Sequence, residues 1–114
     1  MSEEAAPATI KFEDFTKVDI RVGEVVQAEP VPKSSKLLKL KVDFGPGLGE
    51  RTVCAGIAQE VSAAHVLGRR YLFVVNLEPR LMMGIESHGM ILAGQGPLGL
   101  SLASCECPPG TRIH

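Results

Sequence analysis

The sequence predicts an all-β fold, and three observations lead to that prediction. Apolar and polar residues alternate over several short stretches, which is the pattern of half-buried strands. Clusters of glycine and proline separate these stretches. Only residues 58–68 have the signals of a helix. The chain of 114 residues is long enough for one domain with a single modest core.

The first predicted strand begins at residue 18, where apolar side chains alternate with Asp19 and Arg21. Gly23 follows, and the apolar phase then becomes mixed over residues 25–28. A glycine at a change of phase predicts a β-bulge, which small barrels use to bend long strands. Pro30 and Pro32 predict the loop that ends this strand.

The second strand has the clearest alternation in the sequence. Its apolar residues face one way and its polar residues the other: Leu38, Leu40, Val42 and Phe44 against Lys39, Lys41 and Asp43. The glycine-rich run 45–49 predicts a turn, and residues 51–55 predict a third strand.

The remaining elements complete a barrel. Ser62 and Gly68 are typical residues for the two ends of a short helix. Residues 71–75 and 89–93 predict strands four and five, joined by a long mixed connection. Five strands with a helix before the fourth are the arrangement of the oligonucleotide/oligosaccharide-binding (OB) fold, a Greek-key barrel. Leu98, Leu100 and Leu102 predict an appended C-terminal strand, and Pro108–Gly110 ends the predicted regular structure.

Composition limits the classes of function. We expect a disordered tail over residues 1–10 and one domain over residues 11–114. No apolar run approaches the roughly 20 residues of a membrane span, and the acidic N-terminal residues do not resemble a secretory signal, so we expect a cytoplasmic protein. Three cysteines and three scattered histidines predict neither a disulfide framework nor a metal site. The net charge of −1 is not that of a typical nucleic-acid binder, but four lysines cluster within residues 33–41.

Five segments in order resemble one known family: residues 14–23 (DFTKVDIRVG), 34–45 (SSKLLKLKVDFG), 56–58 (GIA), 75–80 (VNLEPR) and 83–90 (MGIESHGM). The chain resembles the tRNA-binding domain found as a stand-alone bacterial protein, at the C-terminus of methionyl-tRNA synthetases and in eukaryotic synthetase-associated polypeptides. The resemblance implies an OB barrel that recognises the shape of tRNA, and a symmetric homodimer. Similar proteins often have serine at the position of Ala55 and lysine at that of Glu78.

Candidate contacts to tRNA come from the loop before strand two and from residues 76–90, with one further residue in strand one. They are Arg21, Lys33, Ser35, Lys36, Asn76, Arg80, Met83, Ser87 and Met90. Loop lysines without a packing role are suited to phosphate contact. Alternatives remain open for the others: Arg21 pairs with Asp19 or Asp43, Asn76 and Ser87 bond to backbone, Met83 fills the barrel mouth, and Met90 packs in the core. Few aromatic residues favour contacts to the backbone of a folded RNA over base stacking.

We therefore expect a non-catalytic tRNA-binding module without a cofactor, acting alone or as a subunit of a synthetase in trans. No residue set has the spacing of a catalytic triad or a phosphate-binding glycine loop. The alternative is an export-type chaperone built on the same dimeric barrel. For the homodimer, we expect the appended leucine strand and the segment around Phe12 and Phe15 to form the interface.

Overall fold

The computed structural model describes residues 6–114, which form ten strands and three one-turn helices. The helices are α1 (Phe12–Phe15), α2 (Gly45–Leu48) and α3 (Ala63–Val66). The strands are β1 (Ile20–Pro30), β2 (Leu38–Asp43), β3 (Glu50–Ala55), β4 (Arg70–Val74), β5 (Arg80–Met82), β6 (Ile85–Ser87), β7 (Met90–Ile91), β8 (Ala93–Gly96), β9 (Gly99–Leu102) and β10 (Arg112–Ile113). The all-β prediction and the five barrel strands are confirmed.

The long strand β1 organises a curled antiparallel sheet with the order β3-β2-β1-β4-β7. Residues 20–24 pair with β4 on one edge, and residues 24–30 pair with β2 on the other. The register shift lies between Val25 and Gln27, not at Gly23, so the predicted position of the bulge is wrong. Gly23 has a different role, because a Cβ there would lie 2.4 Å from Cγ1 of Val42. The glycine allows close packing against the core.

The core lies on the concave face of this sheet. The alternating residues of β2 are buried as predicted, together with Phe44 directly after the strand. Phe44 and Phe73 pack edge to face, with ring centroids 5.3 Å apart. Ser62 accepts a hydrogen bond from the backbone N–H of His65 (3.1 Å) and so caps α3, as its sequence position predicts.

The barrel closes where β3 meets the residues between β6 and β7. The N–H of His88 donates to the carbonyl of Thr52 (2.8 Å), and the N–H of Cys54 donates to the hydroxyl of Ser87 (2.9 Å). The Ser87 hydroxyl in turn donates to the carbonyl of Gly89 (3.2 Å). A side chain thus supplies a hydrogen bond that a paired strand would otherwise provide.

Three sequence-based predictions need correction. The predicted connection over residues 76–88 contains the hairpin β5–β6, and regular structure continues past Gly110, because β10 pairs with β1. Phe12 and Phe15, which we expect at the dimer interface, are 79% and 42% exposed on α1, which buries no residue. The helices α1 and α2 were not predicted, since each is a single turn with too few residues for a periodic signal.

The appended C-terminal strand is β9, which forms a hairpin with β8 outside the main sheet. Leu100 and Leu102 pack against the chain's own core, whereas Leu98 in the turn is fully exposed. Residues 6–10 are exposed and lie outside any helix or strand, and the rest of the predicted tail, residues 1–5, lies outside the described residues. No helix of residues 6–114 combines the length and the apolar character needed to cross a membrane.

Candidate functional site

A cavity of about 220 Å³ opens at the end of the barrel, beside the β3–β6 closure. Its walls come from the end of β3, the segment 77–82 and the start of β7. Three of the sequence candidates line it, namely Arg80, Ser87 and Met90. Both departures from the family pattern, Ala55 and Glu78, line the same cavity. The structure therefore brings together residues that are far apart in sequence.

The lysine loop, residues 31–36, lies next to this cavity. The Ser34 hydroxyl accepts hydrogen bonds from the N–H groups of Lys36 (3.3 Å) and Leu37 (3.2 Å), which shapes the loop. The carbonyl of Lys36 accepts from the N–H of Ala58 (2.9 Å), two residues after Gly56 in the cavity wall. Lys33 has a left-handed backbone (φ 69°), and the candidates Lys33, Ser35 and Lys36 are all exposed. Their side chains are directed to solvent beside the cavity.

Lys39 and Lys41 differ from the loop lysines because each has a carboxylate close by. Lys39 lies 3.9 Å from Glu29, and Lys41 lies 4.0 Å from Glu50. Such exposed pairs contribute little to stability, but they reduce the positive charge of this strand face. Among residues 6–114, neither Lys33 nor Lys36 has a salt bridge, so the free cations of the cluster lie in the loop.

The hairpin β5–β6 presents flexible apolar side chains to solvent. Its turn is formed by Met83 and Gly84, both with a left-handed backbone (φ 50° and 79°), and Met83 is 56% exposed. Arg80 and Leu81 are exposed on β5, and Met90 at the start of β7 is 45% exposed. Met83 and Met90 are therefore exposed and do not pack in the core. Both are accessible to a ligand.

Ser87 is 4% exposed, and its hydroxyl bonds to backbone groups, which is the alternative that its sequence position left open. The hydroxyl takes part in the barrel closure, because the Cys54 N–H needs an acceptor at that position. Burial also raises the pKa of the neighbouring Cys54 thiol, which keeps the cavity wall uncharged there. Ser87 thus fixes the position of β3 in the cavity wall through its hydrogen bond with Cys54.

Arg21 and Asn76 lie in a second cluster near the N-terminal segment. Arg21 forms a bidentate pair with Asp19 (Nε–Oδ1 2.9 Å, Nη2–Oδ2 3.1 Å), one of the two pairings expected. This hydrogen bonding, and then the charges of Arg21 and Arg112, lower the pKa of Asp19 against the opposing effect of burial. The Asn76 amide accepts from the N–H of Asp19 (2.9 Å) and donates to the carbonyl of Lys17 (2.6 Å). Both side chains stabilise the chain's own backbone or charges.

Reasoning from the sequence missed several cavity residues as candidates, among them Ile57, Leu77 and Glu78. Each of these three lies within a segment that carries the family resemblance, which is the signal that could have identified them. Among residues 6–114, no group of three or more His, Cys, Asp or Glu side chains is arranged to hold a metal ion.

Comparison with known proteins identifies relatives along nearly the whole chain. The family model described as "Putative tRNA binding domain" matches residues 20–112. Methionine–tRNA ligase of Porphyromonas gingivalis is 43% identical over 98% of this chain and 17% of the ligase. The corresponding ligase of Protochlamydia amoebophila is 43% identical over 91% of this chain and 15% of the ligase. The chain thus spans about a sixth of the length of these curated relatives.

Solved structures share the fold over their full length. The MetRS related protein from Pyrococcus horikoshii has a TM-score of 0.87 and 35% identity, covering 95% of this chain and 100% of that one. The chaperone CsaA from Bacillus anthracis has a TM-score of 0.82 and 32% identity, covering 94% and 100%. The family match and the identities agree with the barrel described above, and the chain belongs to the tRNA-binding domain family.

Proposed function

We propose that this chain is a non-catalytic module that binds folded tRNA at the cavity end of the barrel. The observation that carries the proposal is the placement of three cations, Lys33 and Lys36 in the loop next to the cavity and Arg80 in its wall, none of which forms a salt bridge within residues 6–114. OB barrels bind their ligands with the strand 2–3 face and with the loops between barrel strands 1 and 2 and between barrel strands 4 and 5; the lysine loop is the first of these loops, and Arg80 lies in the second. No aromatic side chain lines the cavity, which favours phosphate and 2′-hydroxyl contacts over stacking of successive bases.

The salt dependence of tRNA binding tests this proposal. Each phosphate contact contributes roughly 0.7–0.9 to the slope of log affinity against log salt. Replacing Lys33 and Lys36 together by alanine should therefore flatten the slope by one to two units, as measured by gel shift at several salt concentrations. The matched control replaces Lys39 and Lys41, which have carboxylate partners, and should change the slope less. An unchanged slope in the first variant removes the lysine loop from the interface.

We further propose a symmetric homodimer, with the interface at the N-terminal apolar patch. This patch is formed by exposed side chains before β1, namely Ile10, Phe12, Phe15 and Val18. Together with Ile113 of β10, three of these residues border a groove of about 380 Å³. Contiguous apolar surface of this kind marks interaction sites. The leucine strand contributes less than its sequence suggested, because only Leu98 remains fully exposed.

Light scattering on a size-exclusion column tests the dimer. We expect twice the chain mass for the native protein and one chain mass for Phe12→Glu, while Leu67→Glu, also exposed but outside the proposed interface, serves as the control. A native mass of one chain at micromolar concentration rejects the dimer.

A role in the cytoplasm, delivering tRNA to a methionyl-tRNA synthetase in trans, extends the proposal. It is supported by the ligase relatives, in which the similar segment is part of the enzyme. Adding the protein to a synthetase core should lower the KM for tRNA in aminoacylation, and the protein alone should form no aminoacyl-tRNA. An unchanged KM rejects the role in trans but leaves tRNA binding in place.

Binding of unfolded polypeptide is the second candidate function. It is favoured by the similarity to the chaperone CsaA and by the exposed Leu77, Leu81, Met83 and Met90 near the cavity, since methionine-rich surfaces adapt to varied apolar partners. The absorbance ratio at 260 and 280 nm of the purified protein separates the candidates. Co-purifying RNA supports tRNA binding, whereas RNA-free protein that suppresses aggregation of an unfolded test protein supports the chaperone.

A further inference from the structure

Two unpaired charges of opposite sign, Glu78 and Arg80, line the cavity. Both are exposed, and among residues 6–114 neither side chain takes part in a hydrogen bond or an ion pair. Only Pro79 separates them, and side chains two apart on an extended chain face the same side. A site that only bound phosphate would be weakened by the carboxylate of Glu78. The two oxygens of this carboxylate favour a ligand that donates hydrogen bonds as well as accepting them.

The volume and the apolar walls of the cavity suit a small ligand group. Its volume of about 220 Å³ is below the roughly 300–1,000 Å³ of pockets that hold drug-sized molecules. Ile57, Leu77, Met82 and Met90 supply apolar contact on the walls. Gly56 leaves one side open, because no heavy atom lies within 4 Å of where its Cβ would be. One nucleobase turned out of a stack has this size and polarity.

From these features we infer that the cavity binds one unstacked guanine of a bound tRNA. Glu78 accepts hydrogen bonds from the N1–H and 2-amino groups of this base, and Arg80 donates to its O6 and N7 atoms. The inference rests on the proposed function and names the base that this site would select. Guanine offers two adjacent donors, N1–H and the 2-amino group, which match the two oxygens of one carboxylate. Its O6 and N7 atoms accept hydrogen bonds, and arginine is their commonest partner. Adenine, cytosine and uracil each have only one donor group on the Watson–Crick edge, where guanine has two, so they fit the carboxylate of Glu78 less well.

Glu78 is accordingly a specificity-determining residue, whereas the lysine loop supplies affinity independent of sequence. This division follows the general behaviour of RNA contacts, in which phosphate contacts position and base contacts specify. A lysine at this position would add attraction to phosphate but could not accept hydrogen bonds from a base.

Direct titration with short single-stranded RNAs tests the inference. The RNAs differ only in one central base, which is guanine, inosine or adenine, and inosine lacks only the 2-amino donor. Binding is followed through the NMR shifts of the Gly56 and Gly89 backbone amides at the cavity. We expect guanine RNA to bind roughly tenfold more tightly than the other two, because a charged hydrogen bond is lost with each. In Glu78→Lys, all three should bind alike and at least as tightly as the weaker RNAs bind the native protein.

Glu106→Lys provides the control with the same change of charge. Glu106 is exposed, and it lines a different cleft, so the variant should keep the guanine preference. Equal binding of the three RNAs by the native protein, a preference that survives Glu78→Lys, or shifts that leave Gly56 and Gly89 unaffected would each overturn the guanine site. A gel shift with tRNA is run in parallel. Binding of tRNA without base preference rejects the guanine site alone, whereas no tRNA binding rejects the proposed function.

Discussion

The lysine loop and the segment 76–90 both carry polar residues suited to RNA, but they use them differently. In the loop, Lys33 and Lys36 have exposed side chains, and only backbone atoms and Ser34 hold the loop in shape. In the segment, the side chains of Asn76 and Ser87 both form hydrogen bonds with the protein's own backbone. Residue type alone therefore does not identify a contact, because a polar group must also be free.

The difference has a physical cause. Water can hydrogen-bond the backbone of an exposed loop, so the loop's charged side chains are not needed for that purpose, whereas the closure of a barrel leaves backbone groups that need protein partners. Ser87 bonds to one such group, the N–H of Cys54, and Asn76 bonds to two in the N-terminal segment. Arg80 is the exception within the segment, because its side chain is exposed at the cavity.

The largest effect on stability is expected for Ser87→Ala. The substitution leaves the buried N–H of Cys54 without its acceptor, which costs about 1–3 kcal/mol of the free energy of unfolding. Denaturant unfolding measures this, with Ser35→Ala, exposed in the lysine loop, as a control expected to stay within about 0.5 kcal/mol. A Ser87→Ala protein as stable as the native one would show that the Ser87 hydroxyl is not needed for the barrel closure.

Arg80→Ala should weaken tRNA binding about tenfold without a loss of stability. Its guanidinium is exposed and can make charge-assisted hydrogen bonds to RNA, each worth about 1.5–3 kcal/mol. The control is Arg69→Ala, another exposed arginine that lines a different cleft. Equal losses of affinity in both variants would show that only net charge matters.

Asn76→Ala should cost about 1 kcal/mol of stability, since two hydrogen bonds to backbone are lost and water replaces part of them. The amide hydrogen of Asp19 should then exchange faster, which hydrogen exchange measures directly. If affinity for tRNA falls while exchange at Asp19 is unchanged, Asn76 is a ligand contact after all.

The smallest effect concerns pH and the Arg21–Asp19 pair. Because the folded state lowers the pKa of Asp19, the pair stabilises the protein above the ordinary aspartate pKa of about 3.9, and this contribution disappears as pH falls through the lowered value. In Asp19→Asn the fall in unfolding free energy between about pH 4 and pH 2 should be flatter, by under about 1 kcal/mol. Identical pH profiles would indicate that Arg21 is free to bind RNA.

The barrel strands, the cap of α3 and the family could all be predicted from the amino-acid sequence. Period-two alternation in β2 identifies its buried face, because a strand places successive side chains on opposite sides. Ser62 identifies the start of a helix through a local hydrogen bond to His65. These features depend on neighbours in the chain, so a sequence pattern is sufficient to predict them.

Which polar residues are available to a ligand depends on contacts between distant parts of the chain, and these are seen only in the folded structure. Ser87 and Cys54 are 33 residues apart, and Asn76 and Lys17 are 59 apart, so no local pattern could reveal these hydrogen bonds. The same holds for the cavity, where Glu78 and Arg80 meet Gly56 and Met90 only after β3 and β7 are brought together. Barrel closure joins distant segments, and that joining determines both the hydrogen bonds that are used internally and the charges that remain free.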